Sequence, residues 1–138
     1  MSKVIRNKVA EAGLVTIDLL DYLPKETIKE IDLKNWLVGG LIIKELDFKK
    51  KLNELNVSNF KNSCIYIHCS KDVIIPIWAF LLLQTKLTPV AKYIFFGTKK
   101  DLILMLFKRS INNLDFSFYK GKRVFLKGCG DSSLPVGA

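Results

Sequence analysis

The chain is poor in the residues that most catalytic and redox chemistry draws on. It has a single histidine, His68, and three cysteines, Cys64, Cys69 and Cys129. With one histidine, no credible Ser-His-Asp or Cys-His order can be assembled. No glycine-rich stretch has the spacing of a dinucleotide fingerprint or a P-loop. An odd, small number of cysteines does not make a disulfide framework in a chain of 138 residues. The longest apolar run, residues 73–83, falls far short of the roughly 20 residues that span a bilayer. Residues 1–13 are basic but lack the apolar segment of a signal peptide, so the expected location is the cytoplasm. Arginine is scarce too: the only arginines are Arg6, Arg109 and Arg123, although the formal charge is +9. Arginine is the residue best suited to bidentate phosphate and base contacts. A positive charge carried almost wholly by lysine therefore argues for a solvated basic surface and against nucleic acid.

What is present is a core. Nearly half of the residues are apolar and about a quarter are charged, the balance of one globular domain over residues 1–138. Residues 3–11 have the spacing of a short amphipathic helix that Gly13 ends. Residues 14–19, β-branched and alternating, predict a strand. Pro24 closes a turn begun at Asp21, and residues 26–33 are ambiguous, with Ile28, Ile31 and Leu33 able to alternate in a short strand. Asp32 has the chemistry of a helix N-cap before Leu33, Trp36 and Leu37, with a break at Gly39-Gly40. Residues 44–55 predict a charged amphipathic helix, 56–63 a loop, and 64–68 a strand buried on both faces. Ser70 or Asp72 is then expected to cap a helix with Pro76 in its first turn, continuing over 77–87. A strand over 90–96, a helix over 99–114, a turn at 120–122 and a strand over 124–127 complete the pattern.

Two segments repeat. Residues 48–61 (FKKKLNELNVSNFK) lie over 107–120 (FKRSINNLDFSFYK). With one added residue, 65–79 lies over 125–138, so that Cys69 meets Cys129 and Pro76 meets Pro135. Self-similarity of this kind points to repeated supersecondary units. Each reads helix, loop, strand, turn, helix, which requires crossovers and hence parallel strands. The fold class expected is α/β, a mostly parallel sheet with crossover helices from two related units. Residues 80–97 of the first copy, a helix and a strand, have no counterpart after the second. The second copy is therefore expected to be cut short and to leave an apolar face exposed around 124–126.

Several segments together resemble a known family. They are Asn7-Lys8-Val9, residues 13–19, residues 31–37, Leu41-Ile42-Ile43-Lys44-Glu45 and Asp47-Phe48. To these are added Cys69-Ser70, Ile74-Ile75-Pro76, Trp78-Ala79, Lys127-Gly128-Cys129, Asp131 and Pro135. The chain resembles an uncharacterised Bacteroidetes family of small cytoplasmic proteins carrying a domain of unknown function (DUF2480). The resemblance covers nearly the whole chain and implies no reaction. It implies a neighbourhood in iron–sulfur and thiol metabolism, and a longer C-terminal portion with another cysteine.

The sharpest candidate residues are Cys69 and Cys129. Each follows a predicted strand and precedes a predicted helix N-terminus, the edge at which parallel α/β sheets bind ligands and where thiolate is favoured over thiol. With His68, Asp72 or Asp131 they have the chemistry to ligate zinc or an iron–sulfur cluster. Against this, neither lies in a CxxC pair, His68 should point away from Cys69 on its strand, and free cysteines are most often inert core residues. Cys64, inside the strand, reads as core, as does Trp78; Trp36 reads as core or interface. Asp72 and Asp131 read as helix caps first and acids second. Gly128-Cys129-Gly130-Asp131 has the form of a small anion nest. Glu45 and Asp47 read as a solvated face.

Two function classes follow. One is a non-catalytic accessory or interaction protein, with a protein partner or self-association and a link to iron–sulfur or thiol metabolism. The other is a small ligand- or metal-binding domain, or an enzyme, working at the strand ends around Cys69 and Cys129. No motif names a cofactor.

Overall fold

The computed structural model describes residues 13–135. The helix expected at 3–11 and the Ala138 end of the second repeat lie outside them. The elements are β1 (Val15–Asp18), β2 (Ile28–Asp32), α1 (Glu45–Glu54), β3 (Cys64–His68), α2 (Ile77–Leu87), β4 (Tyr93–Phe96), α3 (Lys99–Asn112) and β5 (Val124–Lys127). The strands are parallel throughout, as crossover connections require. They form two small sheets, one of β2, β3 and β4 with β3 central, the other of β1 and β5. The chain divides into two compact units, residues 25–102 and residues 1–24 with 103–138.

Unit 25–102 is built on the apolar run that the sequence makes most conspicuous. Ile65 and Ile67 of β3 alternate inward with Ile31 of β2, and all three are buried. Ala79, Leu83 and Leu87 present the four-residue stripe of α2 to them, and Phe48 and Leu52 present that of α1. Phe48 is fully buried between two tryptophans, its ring centroid 5.0 Å from that of Trp36 and 5.4 Å from that of Trp78. Trp36 is therefore core.

Pro76 stands one residue before α2, at its N-cap, and no side chain caps the helix. The expectation that Ser70 or Asp72 would cap it is corrected here. The turn from β3 runs on to Pro76, whose missing N–H needs no partner at a helix start, and Asp72 is left exposed four residues short of the cap.

The two segments aligned in the sequence make similar turns. Asn56 caps the 3₁₀ turn Val57–Phe60 by accepting from Ser58 N, and Asp115 caps Phe116–Tyr119 by accepting from Ser117 N. The cap angles nearly coincide, φ −77°, ψ 94° against φ −80°, ψ 99°. Asn62 and Gly121, next in register, both have positive φ, the conformation Asn and Gly tolerate best. Phe48 and Phe107 are matching buried residues.

Two strand ends also resemble each other, a likeness missed in the sequence. Ile17-Asp18-Leu19 ends β1 and Ile31-Asp32-Leu33 ends β2, and each Asp caps a 3₁₀ turn that closes on an aromatic residue, Tyr22 or Trp36. In the strand ladders Asp18 faces Lys127 and Asp32 faces His68. Lys127 is thus the counterpart of His68, and the residue added to match Cys69 with Cys129 falls after the strand, in the turn.

The exposed apolar face is where it was expected. Every residue of β5 is exposed, Phe125 and Leu126 by 51% and 53%, whereas its counterpart β3 is bonded on both edges. Backbone amides of β5 are therefore expected to exchange with deuterium at least about 100-fold faster than those of Ile65 and Ile67. Equal protection in a hydrogen-exchange experiment would contradict this placement.

Candidate functional site

The site lies at the C-terminal edge of the three-stranded sheet, all of it within unit 25–102. In Ile28–Asp32 the alternation that turns Ile31 into the core turns Glu30 and Asp32 to the other face. In Cys64–His68 the same alternation places Tyr66 and His68 on that face. The parallel register sets Glu30 beside Tyr66 and Asp32 beside His68. The result is two carboxylates and the only imidazole of the chain, with one ligand atom from each within 4.8 Å of the others. His68 Nε2 lies 2.6 Å from Glu30 Oε1.

Asp32 is the best-held member. Its Oδ1 accepts from Lys34 N at 3.0 Å and from Ser70 N at 3.0 Å. The first bond caps the 3₁₀ turn Leu33–Trp36; the second ties the turn after β3 to the end of β2. Burial by itself would raise the Asp32 carboxyl, but the hydrogen bonds from Ser70 and Lys34 outweigh it. With the neighbouring His68 adding to them, the carboxyl titrates at about 2. Oδ2 is left to a weaker neighbour, the Lys34 ammonium at 3.8 Å. Burial and then the Glu30 carboxylate raise the phenol of Tyr66, which therefore stays protonated at neutral pH.

The cluster can hold a small divalent cation. Carboxylate oxygens and one imidazole nitrogen suit zinc or manganese and leave positions open for water. The two acids against one lysine leave a net negative charge beside a neutral imidazole. The related strand end of the other unit is built differently. There Lys127 stands in the place of His68, its ammonium 3.8 Å from Asp18 Oδ2, and Thr16 stands in the place of Glu30. That unit carries its cation as a side chain.

Of the residues singled out in the sequence, only His68 joins the cluster. Cys69 follows it in the chain, half-buried and packed against the core of its unit. Cys129 is exposed and belongs to the other unit, beyond β5. The strands before these two cysteines belong to different sheets. Asp131 Oδ1 accepts from Ser133 N at 2.8 Å, closing a turn. At Gly128, φ is +96° and a Cβ would lie 3.4 Å from Asp18 Oδ1, so an anion between Gly128 and Gly130 would have a carboxylate close by. Among the described residues, Cys69, Asp72, Cys129 and Asp131 enter no group of three potential metal ligands. Glu30 and Asp32 were missed as ligands. Their i, i+2 spacing on a strand was a signal, but the pairing of β2 with β3 that brings His68 to them is not written locally.

Fold and site together define an α/β protein of parallel strand–helix units with a carboxylate–imidazole cluster at one sheet edge. The family model described as Protein of unknown function (DUF2480) matches residues 3–138, and the chain belongs to that family. No curated protein and no solved structure matches it. Among the described residues no helix is long and apolar enough to cross a membrane.

Proposed function

We propose that the protein is a non-catalytic accessory protein of the cytoplasm whose strand-end cluster, Glu30, Asp32 and His68, holds a divalent cation. The observation that carries the reading is the convergence of those three side chains at the C-terminal edge of a parallel sheet, where this class of fold places ligands. The contrast with Lys127 beside Asp18 supports it: one strand end has its own cation and the related one has an imidazole and a further acid. Carboxylate oxygens and an imidazole nitrogen are the donor set of a cation-binding site. The place in iron–sulfur or thiol metabolism comes from the family resemblance.

Calorimetric titration of metal-free protein with zinc and with manganese tests the reading. One bound ion per chain is expected, weakened at least about tenfold by His68→Gln and unchanged by Cys69→Ser. Loss on Cys69→Ser or Cys129→Ser, with His68→Gln unaffected, would replace this reading with a thiol-based site, the second reading the sequence supports. No binding to any of these proteins would end both.

A further inference from the structure

We infer that Tyr66 positions the cation site, its side chain bracing two of the three ligands, Glu30 and His68. The inference rests on the cation reading and adds to it a residue that is not itself a ligand.

The bracing follows from strand period and register. Tyr66 and His68 lie two residues apart on β3 and share the face turned from the core. The parallel pairing sets Glu30 of β2 beside Tyr66. The rings of Tyr66 and His68 meet at 5.4 Å between centroids, their planes 32° apart, and the Tyr66 hydroxyl donates to the Glu30 carboxylate. His68 Nε2 in turn lies 2.6 Å from Glu30 Oε1. Each of the three side chains therefore touches the other two.

The ligands differ in how much they need such a brace. Asp32 is fixed by two backbone N–H groups. Glu30 is half exposed on an edge strand, and its described hydrogen-bond partners are the side chains of His68 and Tyr66. A glutamate side chain gives up rotamer freedom when it ligates a cation, and a donor that already holds the carboxylate lowers that cost. The donor is well placed to do so: β3 is the central strand, bonded to both β2 and β4, so Tyr66 stands on the most constrained backbone of the sheet. Its ring has a second effect. Packed against the imidazole, it limits rotation of His68 and keeps Nε2 turned toward β2.

The other unit supplies a contrast. At the strand end that resembles this one, Thr16 takes the place of Glu30, and the residue beside it in the ladder is Phe125. The aromatic ring is kept there, and the hydroxyl is absent where there is no carboxylate for it to hold. A residue that served only to cover the sheet face would need no hydroxyl at either strand end.

Zinc titration of the untagged full chain tests the inference, followed by calorimetry and by the ring nitrogens of His68 in ¹⁵N NMR. With one histidine in the chain, those signals have a single source. Zinc is expected to move the Nε2 signal in the wild type. Tyr66→Phe should bind zinc about tenfold more weakly and Tyr66→Ala more weakly still, within the range of about 10–100-fold for groups that hold metal ligands. Both variants should remain folded by circular dichroism. In Glu30→Gln, which keeps Asp32 and His68, adding Tyr66→Phe should change the affinity by less than about twofold, because the hydroxyl acts through the carboxylate. A merely structural role would give the same loss in both backgrounds, and that result would overturn the inference. Affinity of Tyr66→Phe within about twofold of the wild type would overturn it as well, while leaving the cation site standing. No zinc binding by the wild type would overturn both.

Discussion

Phe48→Ala should cost the folded protein about 3–5 kcal/mol, the range for removing a fully buried aromatic ring. The side chain has no exposure and contacts two other rings, nearly edge-on to Trp78 and tilted against Trp36. It joins the 3₁₀ turn after β2 to both helices of unit 25–102, and each neighbour is itself anchored, so the cavity has little scope to collapse. The control is Leu46→Ala two residues earlier on the same helix. Leu46 is 83% exposed, and its loss should stay within about 0.5 kcal/mol. Urea denaturation of the two variants measures the difference. A cost below about 1.5 kcal/mol for Phe48→Ala would mean that the ring cluster is not the core of this unit.

Asp32→Ala should cost about 2–3 kcal/mol in metal-free protein. Two readings of the same bonds reach that figure. The side chain caps one turn and tethers another through charge-assisted bonds to Lys34 N and Ser70 N, together worth about 2–3 kcal/mol. The same bonds, read through titration, lower the carboxyl from 3.8 to about 2 on folding, equivalent to about 2.5 kcal/mol of stabilisation of the ionised folded state. The folded pKa is depressed, so the contribution is complete above the unfolded value near 4 and disappears as pH falls toward 2. The gap between wild type and Asp32→Ala should therefore narrow from about pH 4 down to about pH 2. Asp32→Asn keeps an acceptor oxygen but not the charge and should fall between the two. Asp18, which accepts from Leu20 N and has no counterpart to the Ser70 bond among its described hydrogen bonds, should cost only about 1 kcal/mol when replaced by alanine. Chemical denaturation at several pH values tests all four proteins together. Equal costs at Asp18 and Asp32 would show that the tether to Ser70 contributes nothing.

The elements were legible where a local pattern decides them. The β3 strand, the α2 helix and the amphipathic α1 follow from period and end signals, and the structure places them within a residue or two of the expected bounds. The similarity of the two capped turns was legible because matching positions, Phe48 with Phe107 and Asn56 with Asp115, hold a buried ring and a cap acceptor. Sheet membership was not. Four-residue strands carry no local statement of their partner, and the pairing of β1 with β5 joins residues more than a hundred positions apart. The cluster was hidden for the same reason. His68 was visible as the lone imidazole, but its neighbours were sought along the chain, at Cys69 and Asp72, while the ladder supplies them from β2. The cap expected at Asp72 failed because a proline can open a helix without any side-chain cap.

The central claim is that Glu30, Asp32 and His68 form one cation site. Crystals of the protein soaked in zinc and measured on both sides of the zinc absorption edge test it most directly. The account predicts an anomalous difference peak within coordination distance of Glu30 Oε1, an Asp32 carboxylate oxygen and His68 Nε2, absent in His68→Gln. A peak on Cys69 or Cys129 with none at the cluster, or no peak on the chain at all, would contradict it.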